Sequence, residues 1–275
     1  MKAAPFDYVA PKTVAEAGAS LAGPGAVAIA GGQSLLPMLN LRVALPDLLV
    51  DLGGLQELRE VTATAGMIRI GALTTHAAIE DGKLPDGFGG LMQKVASRIS
   101  YRAIRNYGTI GGSMALADPA ADWSGCLMAL GATVRISSLK GARSEPVDAF
   151  IRGQYSTSLN PDEIILGFEV PRPDTSLRWG FFKVVRKSGA FASSIAFAVA
   201  YGRGGPVSVV LAAAAGRPYS LPRIAECIRA GETAEEPLRA AVAQDVAPLI
   251  PRDDPYLMRL HASTVLRAVR EMQAR

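Results

Sequence analysis

The chain has 275 residues, 49% hydrophobic and 20% charged, which is ordinary for a folded globular protein and excludes disorder. Its net charge is +4, but no basic run is interleaved with aromatic residues, so no nucleic-acid partner is expected. No apolar run approaches the ~20 residues that span a bilayer, and the first residues lack a long secretory apolar stretch, so we predict a cytoplasmic protein without a transmembrane segment.

The first fifth of the chain predicts a small βαβ unit. Residues 11–21 have helical spacing with Thr13 as the cap, and "AVAIA" (26–30) is a short buried strand. A loop containing two glycines then leads into a helix over 35–41 and a second strand, "LLVDL" (48–52).

The middle of the chain alternates strand and helix patterns. "MIRIGA" (67–72) reads as a strand, "THAAIEDG" opens a helix, and residues 90–106 have helical spacing. A second glycine-rich loop, "NYGTIGGSMALADPAAD" (106–122), precedes a helix that ends near Gly131 and a further strand. Residues 163–171 and 179–187 also read as strands.

The last part of the chain predicts strands followed by helices. The strands are "IAFAVAYG" and "PVSVVLAAAAG", and the helical patterns cover about 222–230, 234–247 and 254–273. We place a domain boundary near Pro171 to Leu177, where proline and aspartate cluster between strands.

Residues able to bind metal or carry out acid–base chemistry are scarce. Cys126 and Cys227 form no CxxC pair and lie in apolar helical patterns, which predicts buried thiols rather than ligands of an iron–sulfur cluster. His76 and His261 are too few for a three-histidine metal site, and we expect His76 to be structural. No metal site or catalytic residue is predicted, so the chemistry is expected to come from a bound group.

One apparent nucleotide motif does not fit its surroundings. Residues 23–28, "GPGAVA", match the G-x-G-x-x-A pattern of dinucleotide-binding loops. That loop requires a strand before it and a helix after it, whereas here a helix precedes and a strand follows. We therefore interpret this segment as a turn.

Two other glycine loops, "GGQS" (31–34) and "TIGGS" (109–113), each follow an apolar segment. Glycine lets main-chain N–H groups point into a concavity, and a serine or threonine hydroxyl adds a donor, so such loops stabilise phosphate oxygens without lysine or arginine. A pyrophosphate cradled between the two loops fits this pattern. Either loop taken alone is better explained as a tight turn.

The two loops also carry a resemblance to a known family. "AGGQSLLPMLNLR" and "RNYGTIGGSMALADPAAD", with "GALTTHAAIE" between them and "FFKVVRKSGAFA" after them, resemble the FAD-binding medium subunits of the molybdenum hydroxylases. That family includes carbon monoxide dehydrogenase, quinoline oxidoreductase and nicotinate dehydrogenase, and xanthine dehydrogenase carries the same unit as an internal domain. The match runs in order from the opening Phe6-Asp7-Tyr8 to about residue 200.

The resemblance implies an α+β protein with the two-lobed FAD-binding fold of the vanillyl-alcohol oxidase and carbon monoxide dehydrogenase flavoproteins. Residues 1–56 would form the N-terminal FAD-binding lobe and residues 57–174 the middle FAD-binding lobe. Residues 175–275 would form a C-terminal α+β domain of antiparallel strands followed by helices.

The resemblance also assigns cofactor-binding residues. In the first loop the residues that would bind the FAD diphosphate are Ala30, Gly31, Gly32, Gln33, Ser34 and Leu35. In the second loop the residues that would contact the cofactor are Thr109, Gly111, Gly112 and Ser113.

Four further positions are assigned in the same way. Asp122 would lie near the ribityl and adenine side, Ile165 would be an apolar flavin contact, and Lys183 would lie near the isoalloxazine ring, where a cation stabilises reduced flavin. Phe191 stands where several relatives carry a tyrosine that shields the ring. From the residues alone, a solvated strand lysine is the favoured interpretation of Lys183, and Asp118 and Asp122 are alternatively caps of the following helix.

The function implied is electron transfer. A large molybdopterin subunit would oxidise the substrate, a small subunit would pass electrons through [2Fe-2S] clusters, and FAD on this chain would deliver them to an external acceptor. The expected assembly is a dimer of heterotrimers. Two alternatives stay open: a self-sufficient flavin oxidoreductase, and a cofactor-free assembly subunit.

Overall fold

The computed structural model describes residues 2–85, 87–172, 177–202, 204–251 and 254–275. The boundary that the sequence predicts between residues 174 and 175 lies outside the described residues. Before this boundary the structure contains a parallel sheet and a larger antiparallel sheet, and after it a second larger antiparallel sheet. Helices pack against these sheets.

The N-terminal part is the predicted βαβ unit, extended by one strand. Its elements are β1 (Asp7–Val9), α1 (Val14–Leu21), β2 (Ala26–Ile29), α2 (Leu35–Asn40) and β3 (Leu48–Asp51). The three strands form a parallel sheet in the order β1-β3-β2, which leaves β2 at an edge. The predicted cap of α1 is confirmed, because Thr13 Oγ1 accepts a hydrogen bond from the Glu16 amide at 3.1 Å.

The middle part is built on a five-stranded antiparallel sheet in the order β4-β5-β10-β6-β7. After a 3₁₀ helix at Gln56–Arg59, the five strands of this sheet are β4 (Val61–Ala63), β5 (Met67–Gly71), β6 (Thr133–Ser138), β7 (Gly141–Pro146) and β10 (Ile164–Pro171). Two short strands, β8 (Ile151–Gly153) and β9 (Ser156–Thr157), pair separately. Its helices are α3 (His76–Glu80), α4 (Leu91–Ser97), α5 (Arg102–Arg105), α6 (Ile110–Leu116), α7 (Asp122–Ala129) and α8 (Val147–Phe150).

The single helical pattern predicted over 90–106 is wrong in one respect, because the structure divides it into α4 and α5. The chain turns between them at Ser100, which has a positive φ of 42°. Arg105 holds this turn by donating hydrogen bonds to the carbonyls of Ile99 and Ser100 at 2.9 and 3.0 Å. Helical spacing of side chains does not reveal such a break, since the residues that stabilise it lie beyond the turn.

The C-terminal part is an antiparallel sheet followed by helices, as predicted. The strands β11 (Leu177–Val185), β12 (Ala192–Tyr201), β13 (Val207–Ala212) and β14 (Tyr219–Ser220) pair in that order. The helices are α9 (Pro222–Arg229), α10 (Glu235–Val246) and α11 (Pro255–Gln273). A Cβ on Gly180 would lie 1.8 Å from the carbonyl oxygen of Ala268, so this glycine lets α11 lie close against β11.

Both faces of the C-terminal sheet are buried. Alternate residues of β12, such as Ala196 and Ala198, join the core under α11, while Ile195 and Phe197 join the core of the middle part. Helix α7 lies on that second face, and a Cβ on Gly125 would meet the Phe197 ring at 2.6 Å. Residues of the middle and C-terminal parts therefore pack into one hydrophobic core.

The prediction that both thiols are buried holds for Cys126 and is wrong for Cys227, which is half-buried. Burial raises the pKa of the Cys126 thiol well above its ordinary value. Among the described residues, no helix combines the length and the hydropathy needed to cross a membrane, and no cluster of histidine, cysteine and carboxylate side chains suits a metal ion.

Candidate functional site

The two glycine loops contact each other. The first loop leaves edge strand β2, and a Cβ on Gly31 would lie only 2.0 Å from the carbonyl oxygen of Tyr107 and 3.0 Å from Gly108 Cα. A Cβ on Gly112 would lie 3.7 Å from the Cβ of Ala30. The tertiary structure thus brings together segments almost eighty residues apart, and glycine at position 31 is what allows them to approach.

The first loop presents a run of main-chain donors. Within the part of the chain that the structure describes, five successive N–H groups have no acceptor: those of Ala30, Gly31, Gly32, Gln33 and Ser34. Gly32 has a φ of 69°, a left-handed conformation that glycine adopts without strain. The Gln33 side chain fixes the loop by donating to the Gly31 carbonyl at 3.0 Å. Unpaired amides along such a turn form a nest for an anion.

The second loop differs from the first, because residues 110–113 begin helix α6 and their amides are already bonded within the chain. The amides of Ile110 and Gly111 donate to the carbonyls of Thr74 and Ala72, at 3.0 and 2.8 Å. The Gly112 amide donates to Thr109 Oγ1 at 3.1 Å, as part of the N-cap of α6. A Cβ on Gly111 would meet Ala72 at 2.6 Å, so packing explains this glycine.

What the second loop offers to a ligand is surface beside the first loop. Gly112 is exposed and Ser113 is half-buried, so the Ser113 hydroxyl is accessible from outside. The five free amides and this hydroxyl suit a ligand with several anionic oxygens, such as a diphosphate. Because the donors are main-chain groups on a loop seated against a second loop, their spacing is set before a ligand arrives.

A buried histidine holds the second loop in place, in agreement with the structural role predicted for it. The His76 amide donates to the Gly108 carbonyl at 2.9 Å, and Trp123 Nε1 donates to His76 Nδ1 at 3.0 Å. Burial, followed by the positive charge of Arg105, lowers the pKa of His76 to about 4. His76 is therefore neutral at pH 7, which lets Nδ1 accept the hydrogen bond from the Trp123 N–H group.

Asp122 and Lys183 form a buried ion pair. Lys183 Nζ lies 2.7 Å from Asp122 Oδ2, both side chains are about 5% exposed or less, and Nζ also donates to the Arg98 carbonyl at 3.2 Å. Burial raises the pKa of Asp122 to about 6, against the opposing effect of Lys183. Among the described atoms Asp122 Oδ1 has no partner. The sequence predicts that each residue contacts the cofactor separately, whereas in the structure the two side chains bind each other.

The surroundings of these residues decide between the roles that the sequence left open for Lys183, Asp122 and Asp118. A solvated strand lysine is wrong for Lys183, because its side chain is 4% exposed. A helix cap is wrong for Asp122, since Ala121 is the N-cap of α7 and makes no side-chain bond there. Asp118 accepts from the Ala120 amide at 2.8 Å, in the turn before α7, and so is not the cap either.

The two remaining assigned residues lie in contrasting surroundings. Ile165 is 6% exposed and belongs to the core of the middle sheet, beside an irregularity in β10. Phe191 is 71% exposed on the loop between β11 and β12. Sequence reasoning missed the carbonyls of Tyr107 and Ala72, which set the spacing around the two loops. No side-chain pattern encodes where a main-chain carbonyl will lie, so no sequence signal could have found them.

Comparison with known proteins identifies the family. The sequence profile described as "FAD binding domain in molybdopterin dehydrogenase" matches residues 4–173. The chain is 38% identical to the glyceraldehyde dehydrogenase medium chain of Sulfolobus acidocaldarius over 196 residues, which is 70% of this chain and 69% of that protein. It is 30% identical to the caffeine dehydrogenase subunit beta of Pseudomonas sp. (strain CBB1), covering 97% of this chain and 86% of that protein.

The fold comparison agrees. Carbon monoxide dehydrogenase from Hydrogenophaga pseudoflava contains a chain that superposes with a TM-score of 0.93 at 29% identity, covering 100% of this chain and 99% of that one. This confirms the two-lobed α+β FAD-binding fold. The relatives are medium chains or subunits of multi-subunit dehydrogenases. The chain therefore belongs to the FAD-binding medium subunits of the molybdenum hydroxylases.

Proposed function

We propose that the first glycine loop, residues 30–35, binds the diphosphate of FAD. The observation that carries this proposal is the run of five N–H groups, from Ala30 to Ser34, that have no acceptor among the described residues. A diphosphate supplies several negatively charged oxygens, and hydrogen bonds to charged acceptors are the stronger kind. Leu35 begins α2, so the loop also lies at the start of a helix.

The other assigned residues extend the same site. Thr109, Gly111, Gly112 and Ser113 support the nucleotide from the second loop, with the Ser113 hydroxyl as the group free to contact it. Gly111 acts indirectly, by letting the loop pack on Ala72.

The isoalloxazine side of the site is proposed for Ile165, Lys183 and Phe191, and the ribityl and adenine side for Asp122. Lys183 supplies positive charge there, and Asp122 together with the Arg98 carbonyl holds its ammonium group in place. Phe191 supplies an exposed aromatic face.

When bound, FAD accepts electrons and releases them to an acceptor. The chain's own work is to bind and orient the cofactor between the [2Fe-2S] subunit and that acceptor. A dimer of heterotrimers, a cytoplasmic location and the division at residues 56 and 174 complete the proposal and remain predictions.

Ligand titration tests the diphosphate site directly. We expect the purified chain to bind FAD with about one flavin per chain, and to bind ADP measurably, whereas FMN, which has a single phosphate, binds much more weakly. Equal affinity for FAD and FMN would overturn the assignment of the loop.

Two other outcomes decide between the alternatives left open by the sequence. A chain that takes up no FAD, alone or with the molybdenum and iron–sulfur subunits, would be a cofactor-free assembly subunit. A flavin-loaded chain that oxidises an organic substrate without those partners would be a self-sufficient oxidoreductase.

A further inference from the structure

The loop between β11 and β12, residues 186–191, is tied to the rest of the protein by Tyr101. The Tyr101 hydroxyl donates a hydrogen bond to the Ser188 carbonyl at 3.2 Å. Among the described residues it is the only hydrogen bond that joins this loop to another part of the chain. The next residues carry Phe191, which is 71% exposed and packs into no core cluster.

The tyrosine ring also packs on the loop, and glycine makes that contact possible. A Cβ on Gly189 would lie 2.7, 2.9 and 3.1 Å from three atoms of the Tyr101 ring. Gly189 has a φ of 80°, a conformation that side-chain-bearing residues rarely adopt. The ring therefore rests directly on the loop backbone, in a space that any other residue at position 189 would fill.

Tyr101 is itself firmly placed. It precedes α5, and the turn before it is held by Lys183 Nζ on the Arg98 carbonyl and by Arg105 on the Ser100 carbonyl. Arg105 is in turn bound by Glu80 through two hydrogen bonds of 2.8 and 2.9 Å. The backbone at Tyr101 is therefore held in place, while its side chain is exposed and free to contact the 186–191 loop.

This contact between Tyr101 and the 186–191 loop lies close to the second glycine loop. Helix α5 has four residues and spans about 6 Å. Tyr101 stands at its start, while Gly108 and Thr109 follow soon after its end. The loop that carries Phe191 is thus held by the residue that precedes the short helix leading into the candidate cofactor site.

We propose that Tyr101 and Gly189 form a latch that holds the 186–191 loop closed and thereby sets the position of Phe191 beside the bound flavin. Tyr101 is a positioning residue: it acts on the cofactor through Phe191. The consequence for the flavin rests on the proposed function, whereas the latch itself does not.

Limited trypsin digestion of the full chain tests the latch, because Arg186 and Lys187 are exposed cleavage sites within the loop. Cleavage of a transiently opened segment follows the population of the open form. We expect Tyr101→Phe, which keeps the ring and loses one hydrogen bond, to raise the cleavage rate there about threefold. Tyr101→Ala should raise it about tenfold or more, with the thermal midpoint nearly unchanged.

A matched control and a double variant sharpen the test. Tyr256, 62% exposed at the start of α11, resembles Tyr101 in exposure, and Tyr256→Ala should leave cleavage at the loop unchanged. Gly189→Ala should open the loop in the wild-type background and have a smaller effect after Tyr101→Ala, which removes the ring it would strike. Fully additive effects would contradict direct contact.

A second readout concerns the flavin. In the FAD-loaded chain, we expect Tyr101→Ala to increase quenching of flavin fluorescence by iodide about twofold or more, and Tyr256→Ala to leave it unchanged. Wild-type cleavage rates in folded Tyr101→Ala and Tyr101→Phe would overturn the latch, and if the alanine variant unfolds, the phenylalanine variant decides. Faster cleavage without a change in quenching would overturn the placement of Phe191 at the flavin. A chain that binds no FAD would refute the proposed function, while digestion still tests the latch.

Discussion

Replacing Gly31 with alanine tests the contact between the two glycine loops. The added Cβ would lie 2.0 Å from the Tyr107 carbonyl oxygen, whereas ordinary contacts begin near 3.4 Å, so the loops must separate by about 1.4 Å. The obstacle is main chain and cannot rotate away. Gly31 does not have a positive φ, so alanine adds this clash without strain in its own backbone conformation.

The expected effect on FAD binding follows from hydrogen-bond geometry. Donor–acceptor distances in such bonds span only about 2.7–3.2 Å, so a shift of more than 1 Å breaks those it affects. Losing two bonds to a charged acceptor, at about 1.5–3 kcal/mol each, weakens binding by about 3–6 kcal/mol. Since about 1.4 kcal/mol corresponds to tenfold, the dissociation constant should rise by roughly 10²- to 10⁴-fold.

Isothermal titration with FAD measures this change, and thermal unfolding of the same samples checks the fold. Gly66→Ala is the matched control, because a Cβ at that position meets nothing within 4 Å and its backbone conformation is ordinary. It should bind FAD like the wild type. A folded Gly31→Ala variant that binds FAD within about threefold of Gly66→Ala would show that this contact does not shape the FAD site.

Three further predictions concern the same region. Gly32→Asp should abolish FAD binding, because it combines a side chain at a φ of 69° with a carboxylate beside the diphosphate; FAD retained through gel filtration would contradict the loop assignment. Lys183→Met should lower the free energy of unfolding by about 3–5 kcal/mol, since it leaves Asp122 buried without its cation. In denaturant titrations, adding Asp122→Asn to this variant should recover at least half of the lost free energy. Additive losses in the double variant would argue against coupling of the two residues. His76 should make the free energy of unfolding depend on pH, because its pKa is about 4 in the folded protein and about 6.5 in the unfolded chain. As the pH falls, the unfolded chain therefore binds the proton first. About 3 kcal/mol of the free energy of unfolding present at pH 7 should be lost between pH 6.5 and pH 4. His76→Asn, which keeps an acceptor for Trp123, should lack that loss, and identical pH curves for the two proteins would refute it.

Local pattern predicted most of the secondary structure. The alternation in residues 67–72 and the helical spacing in 254–273 correspond to β5 and α11 within about one residue. These elements depend on neighbouring residues, whose spacing is written in the sequence. The turn at Ser100 was missed because Arg105 stabilises it through side-chain bonds to main-chain carbonyls, while Glu80, outside the predicted helix, holds Arg105.

Pattern also failed where a residue's role depends on distant partners. Lys183 alternates along a strand like a surface residue, yet the fold buries it against Asp122, sixty-one positions away. Cys227 lies in an apolar helical pattern like that of Cys126, but only Cys126 faces a completed core. The burial of a residue depends on which other elements pack against its own helix or strand, and the sequence of that helix or strand does not specify them.

The sequence by itself determined the βαβ start, the strands-then-helices end and, through the resemblance of its two glycine loops, the family and its FAD cofactor. Only the tertiary structure decided that the amides of residues 30–34 are free while those of Gly111 and Gly112 are bonded within the chain. The physical reason is that glycine permits a close approach but does not specify what approaches. At Gly31 it is the Tyr107 carbonyl and at Gly189 the Tyr101 ring, and both partners are distant in sequence.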